Sequence, residues 1–239
     1  MGNTFFKKKQ TQQTMFKNLN ELAKSSLQSH KNILISLDRY SAQLNDDFAQ
    51  NLSSSLQQCV NLQILKLYLD KIPYKQYDLS QIGSALVKCT QLRNLILGGN
   101  QNDLQNLMEI VLPLKDSQNL QMVVILATSL VCSPMFLSDE QLKRMEKKMN
   151  WNSFELESMA EIGNALVRCT KLRSLMLSLI GLKIGNQGVL NIISALENCL
   201  NIQYIILELY YTQIDDEAQQ KIRRQLKKAK KLVKLRLLM

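Results

Sequence analysis

Five cysteines, one histidine, a run of spaced glycines and two carboxylate pairs are the residues whose types could do chemistry in this chain. Cys59, Cys89, Cys169 and Cys199 come first, because thiolates bind zinc, attack electrophiles and form disulfides. A zinc site needs two to four ligands converging at short spacing. Cys59 and Cys89 instead stand 30 residues apart, as do Cys169 and Cys199, and the chain's one histidine, His30, is near none of them. An odd number of widely spaced cysteines also argues against a disulfide framework and for a reducing compartment. Each of the four stands three residues before an aliphatic residue that opens a strand-like run. A small buried slot at a helix end, filled by a free thiol, accounts for that placing. Cys132 has no place in the pattern and receives no role.

The other candidates fare no better as catalysts. His30 would need a nucleophile or an acid held within hydrogen-bond reach, and the sequence nominates none, so a solvated or capping role is expected. Gly181, Gly185 and Gly188 read G-x-x-x-G-x-x-G, neither a phosphate loop nor a dinucleotide fingerprint. Residues Ile184 to Gly188 fit a strand-to-helix turn instead. The kinase runs H-R-D, D-F-G and V-A-I-K do not occur. Asp46-Asp47 and Asp215-Asp216 stand at expected helix starts, as does Ser138 with Gln141, where orphan amides and the helix dipole favour such residues. No catalytic, cofactor-binding or metal-binding residue is assigned, and the chain is read as a non-enzyme without a cofactor.

The elements that carry these residues repeat. Four segments align without gaps: Leu56 to Leu67, Leu86 to Leu97, Leu166 to Leu177, and Leu196 to Leu207. In each, aliphatic residues at positions 1, 4 and 6 follow the cysteine, as in Leu62, Leu65 and Leu67. Weaker copies start at Leu120 and Leu232, and a still weaker one sits at Ile33, Ile35 and Leu37. Positions 4 and 6 alternate as a half-buried strand requires. The ten or so residues that follow switch to helical spacing, as in Ile192, Ile193, Ala195 and Leu196. One unit cannot bury its apolar side alone, so neighbours must stack. Leu120 and Leu172 lie 52 residues apart, which breaks the period. We read a shortened unit there, with Phe154 and Leu156 as its strand, over the alternative of an inserted helix near 138–149.

The phrase L-x-x-L-x-L resembles the leucine-rich repeat, and Leu92 to Asn100 matches its longer L-x-x-L-x-L-x-x-N form. Repeat length and a helical second half are similar to the ribonuclease-inhibitor type. The A-L-x-x-C-T-x-L variant at Ala85 to Leu92 and Ala165 to Leu172 is similar to repeats abundant in ciliate proteins. The resemblance covers nearly all of residues 31–239. It implies an α/β solenoid, a curved horseshoe fragment with parallel strands on the concave face and helices on the convex face. It says little about function, because such repeats host many unrelated binding roles. Residues 1–31 are then a basic tail with a cap helix over 14–28, and residues 32–239 a domain of about seven units.

On this reading, strand positions 3, 5 and 7 face outward. They are Ile64, Lys66 and Tyr68; Asn94, Ile96 and Gly98; Met122, Val124 and Leu126; Ser174, Met176 and Ser178; Tyr204, Ile206, Glu208 and, further along, Tyr210; then Lys234 and Arg236. A solvated sheet face should be mostly polar, and this one is rich in Met, Ile, Val and Tyr. Contiguous exposed apolar surface marks an interface. We therefore expect a protein partner on the concave face, contacted by Ile64, Lys66, Tyr68, Ile96, Met122, Val124, Met176, Tyr204, Ile206 and Tyr210.

Charge adds a second theme. The net +10 is held by the two ends: residues 1–31 carry six Lys and one Glu, and residues 221–236 carry nine Lys or Arg and no acid. Lys221, Arg223, Arg224, Lys227, Lys228, Lys230 and Lys231 form a basic amphipathic stretch whose Ile222 and Leu226 should face the core. Such a surface suits an acidic protein, phosphates or an anionic membrane. A nucleic-acid assembly is thus the alternative to the scaffold, without base stacking, because no aromatic residue interrupts the stretch. No apolar run reaches the roughly 18 residues of a membrane-spanning helix. Gly2 invites a myristoylation reading that Phe6, in place of Ser or Thr, weakens. The first thirty residues lack the Arg typical of organelle-targeting peptides. The cytoplasm is the expected compartment, with organelle import and a cytoskeletal assembly left open. The run Leu232 to Leu237 ends the array on a strand without a covering helix, which predicts contact with a partner or a longer natural array.

Overall fold

Aliphatic residues at every second strand position, followed by an amphipathic helical stretch, force each unit to bury one face of its strand under its own helix. The computed structural model describes residues 12–38, 47–70, 77–99, 104–127, 156–182, 184–210, 212–228 and 231–238. Through them run strands β1 (Thr14–Phe16), β2 (Asn32–Asp38), β3 (Ile64–Asp70), β4 (Asn94–Gly98), β5 (Met122–Leu126), β6 (Ser174–Ser178), β7 (Tyr204–Glu208) and β8 (Lys234–Leu238). Helices alternate with them: α1 (Leu19–Ala23), α2 (Phe48–Gln58), α3 (Ser80–Lys88), α4 (Leu104–Val111), α5 (Leu156–Arg168), α6 (Gly185–Leu196) and α7 (Asp216–Leu226). Two 3-10 turns, Leu27–Ser29 and Leu112–Asp116, stand in the helical layer.

The eight strands make one open, all-parallel sheet in strict sequence order. Strand-helix-strand crossovers are right-handed, and a strand order that never reverses therefore places every helix on the same face. Under that face lies one continuous core. Leu65, Leu95, Val123, Leu175 and Ile205 are register mates on β3 to β7, and all are buried. From the helices, Leu52, Leu56, Ile82, Leu86, Leu166, Ile192 and Leu196 meet them. Each such side chain stabilises by about 1.5–3 kcal/mol when fully buried. Two glycines set how closely the helices approach. A Cβ at Gly83 would stand 2.4 Å from the Ile110 carbonyl oxygen, and one at Gly163 would stand 2.5 Å from the Ala195 Cβ.

Three expectations change. The stretch 14–28 is not a single helix: Thr14–Phe16 is a strand paired with β2, followed by the short α1, whose N-terminus is capped by the Asn18 side chain on the Glu21 amide at 2.9 Å. The sheet has no strand of a further unit between β5 and β6, because the two pair directly with each other. Leu156 opens α5 instead of a strand, so the 52-residue span is one long unit; Phe154, Cys132, Ser138 and Gln141 lie outside the described residues. Asp47 precedes α2 without a side-chain cap, and Asp46 lies outside the described residues. At α7 the expectation holds, with the Asp215 carboxylate accepting from the Ala218 amide at 2.8 Å.

Candidate functional site

The register turns the outward positions into three rows that cross the sheet. The middle row reads Met15, Leu34, Lys66, Ile96, Val124, Met176, Ile206 and Arg236 from β1 to β8. On the side nearer the strand starts lie Asn32, Ile64, Asn94, Met122, Ser174, Tyr204 and Lys234. On the other side lie Ser36, Tyr68, Gly98, Leu126, Ser178, Glu208 and Leu238. From β3 to β7 the middle row is half-buried, and at β1 Met15 is 51% exposed. Strand neighbours stand roughly 4.8 Å apart, so Ile96, Val124, Met176 and Ile206 form a continuous apolar line.

Nine of the ten residues expected on this face lie on strands and belong to these rows. The tenth, Tyr210, is half-exposed in the turn after β7, where its carbonyl accepts from the Gly181 amide at 2.8 Å. Sequence reading missed Met15 and Leu34, which continue the middle row onto β2 and β1 on the far side of Lys66. Ile33, Ile35 and Leu37 as core residues imply Leu34 and Ser36 on the opposite face, so the signal for β2 was present. The rows are not uniform. The Tyr68 ring lies over Gly98, where a Cβ would sit 2.2 Å from the ring. Ser178 and Glu208, register mates, are 1% and 3% exposed, and the Ser178 hydroxyl has no hydrogen-bond partner among the described residues.

The four repeated cysteines are free and buried, and none lies on this face. Their thiols point to the helix ends. Cys89 Sγ donates to the Leu56 carbonyl of the preceding unit at 3.3 Å, and Cys169 Sγ donates to Leu114 at 3.1 Å. Those carbonyls belong to helix C-terminal ends and also accept from the cap amides of Cys59 and Ser117, at 3.0 and 2.8 Å, so each thiol adds a second bond that joins two units. A thiol is small enough for the slot and polar enough to reach across it. Burial pushes Cys59 and Cys199 up to about 11 and Cys89 and Cys169 up to about 12. Thiols held protonated in this way are poor nucleophiles and poor metal ligands. Among the described residues no three His, Cys, Asp or Glu side chains gather as a metal site.

A second line of inter-unit bonds lies two residues after the cysteine position. Asn61, Asn119 and Asn201 donate to the carbonyls of Gln28, Thr90 and Thr170 in the preceding unit, at 2.7–2.9 Å. Lys171 and Lys231 donate to Asn119 and Asn201 from the following unit, at 2.9 and 2.7 Å. These residues were not legible as partners, because the bonds exist only between stacked units.

His30 is half-buried, its Nε2 2.9 Å from the Ser25 hydroxyl and its ring edge-on to Phe16 at 5.4 Å. That contact ties the first turn to β1. On α7, Ile222 and Leu226 are buried, while Lys221, Arg223 and Arg224, and Lys227 and Lys228 in the turn after it, are exposed. Lys231 is exposed in the turn before β8, and Lys230 lies outside the described residues. Asp215 and Asn186 exchange bonds between units at 2.6 and 3.0 Å. The Ala218 amide and the Asn186 side chain hold the Asp215 carboxyl below its ordinary value.

No protein-family model matches this chain, and no curated protein matches it. The crystal structure of a protein from Bacteroides fragilis is similar over 92% of this chain and 68% of that one, at 13% identity and a TM-score of 0.33. That likeness is too distant to carry fold or function across. Among the described residues no helix is long and apolar enough to cross a membrane.

Proposed function

We propose that this chain is a leucine-rich-repeat solenoid working as a non-catalytic scaffold, which holds a protein partner across the helix-free face of its sheet. One observation carries the reading: the strand register lines up Ile96, Val124, Met176 and Ile206 as adjacent half-exposed residues, with Ile64 and Met122 beside them. A sheet face that only met water would present polar residues there. Contiguous apolar surface rimmed by polar residues marks an interaction site, and Met and Tyr are the side chains such sites favour. Buried, protonated thiols suit a scaffold held in a reducing intracellular compartment. In the solenoid this face is the concave one.

The test uses Tyr204→Ser and Tyr210→Ser together, with far-ultraviolet circular dichroism as the check on folding. Partner capture from a nuclease-treated native extract should be lost while the spectrum stays the same. Undiminished capture would remove both tyrosines from the interface. A second reading rests on α7 and the turn that follows it, whose five exposed cations have no acid among them from Lys221 onward. A nucleic-acid assembly held there would show salt-sensitive RNA binding that disappears when those charges are reversed.

A further inference from the structure

The rim at the strand starts carries a charge pattern that the apolar rows do not explain. A backbone ladder crosses it: the amides of Gln63, Arg93, Gln121, Arg173 and Gln203 donate in turn to the carbonyls of Lys31, Gln63, Arg93, Gln121 and Arg173, at 2.8–3.0 Å. Cations therefore stand on alternate rungs, at Lys31, Arg93 and Arg173, with glutamine between them. All three are exposed. Two strand spacings put successive cations roughly 10 Å apart. No Asp or Glu stands on any rung, and the acids in the segments that lead into these strands are Asp116 before β5 and Glu197 before β7. Lys171 joins the line: Thr90, Gln91, Arg93, Asn119, Gln121 and Lys171 surround a shallow polar depression between the β4 and β6 rungs. Lys171 Nζ is held there by Asn119 at 2.9 Å, which fixes its position and leaves its remaining hydrogens available.

The adjoining face adds Lys66, Lys234 and Arg236; of its acids Glu208 is buried, and Asp38 and Asp70 stand at the far ends of β2 and β3, away from the rim. The surface thus pairs an apolar line with a basic edge along one side. Complementary charge of this kind selects partners and speeds their encounter. A nucleic acid would match the cations and leave Ile96, Val124 and Met176 facing nothing apolar.

Resting on the interaction-face reading above, we infer that the partner is an acidic protein segment: its aliphatic or aromatic side chains lie on the Ile96–Val124–Met176 line, and carboxylates on one flank meet Arg93, Lys171 and Arg173. The rim depression receives one of those carboxylates.

The probe is a phage-displayed library of random 16-residue peptides, panned on the full chain, on Arg93→Glu/Arg173→Glu and on Ile96→Ser/Met176→Ser. Each variant is first checked for unchanged circular dichroism. Wild-type protein should enrich peptides that combine Asp or Glu with Leu, Ile or Phe. A synthetic copy of an enriched peptide should bind the charge-reversed variant at least tenfold more weakly by fluorescence anisotropy, and the wild-type affinity should fall as salt rises. Enriched peptides without an acidic bias, or equal affinity for the charge-reversed variant, would overturn the inference and leave the face standing. Equal affinity for Ile96→Ser/Met176→Ser would overturn the face itself. Capture of a single-stranded RNA 20-mer at Arg93 and Arg173 with no peptide enrichment would also refute the acidic-segment partner.

Discussion

Raising the pH from about 8 to about 10 should destabilise this protein through its buried cysteines. Burial pushes the four thiols from an ordinary value of 9.0 to about 11 for Cys59 and Cys199 and about 12 for Cys89 and Cys169. At pH 10 an unfolded chain has released most of each thiol proton, while the folded chain keeps it. The unfolded state then binds fewer protons, so stability falls as pH rises between the unfolded and folded values. The fall is about 1.4 kcal/mol per thiol over that interval. Urea unfolding of wild type, Cys89→Ala and Cys89→Ala/Cys169→Ala at both pH values isolates the effect, since lysine and tyrosine titrations are common to all three. Each alanine should cost about 1–2 kcal/mol at pH 8, from the lost sulfur contacts and the lost bond to the preceding unit. Each should also shrink the pH-dependent fall by about 1.4 kcal/mol. Equal falls in all three proteins would refute the protonated-thiol account.

Three further outcomes follow from the same geometry. In a Cys132→Ala background, the native protein should react with Ellman's reagent at least a hundredfold more slowly than the same protein in guanidinium, because thiolate is scarce and the sulfurs are covered; rapid native labelling of any thiol would contradict the slot. Gly98→Ala should lower stability by about 1–3 kcal/mol, since its Cβ meets the Tyr68 ring. Adding Tyr68→Ala should recover most of that loss, and additive penalties in the double-mutant cycle would show that the ring does not hold the site. Reversing Lys221, Arg223 and Arg224 to Glu should leave the urea midpoint nearly unchanged, with each substitution worth under about 0.5 kcal/mol on this exposed helix face; a collapse in stability would mean those cations hold the fold.

Much of the layout is legible because four units state their strand twice, once in its aliphatic alternation and once in the cysteine that precedes it. Leu65 with Leu67, and Leu95 with Leu97, fix both the core face and, by alternation, the open one. β1 was hidden because Met15, Phe16, Leu19 and Leu22 share a helical spacing, while the three-residue strand exists only through its pairing with β2. Leu156 looked like a strand residue because the period demanded a unit there; in the structure β5 and β6 pair across the gap and the residue opens α5. The asparagine bonds and the alternating rim cations were invisible for a related reason. They join residues about 30 to 55 positions apart, and only the stacked register shows which side chains meet. Tyr68 and Gly98 are register mates of this kind too, so a glycine that read as an outward gap is the seat of a ring.

The most direct test of the account is site-specific photo-crosslinking with p-benzoylphenylalanine in a nuclease-treated native extract. One protein carries it at Met176, in the middle row of the open face, and another at Arg223, on the exposed side of α7. The account predicts a discrete crosslinked protein species from position 176 and none from position 223. Crosslinks from 223 alone would contradict it, moving the interaction to the basic helix and leaving the open face without a partner.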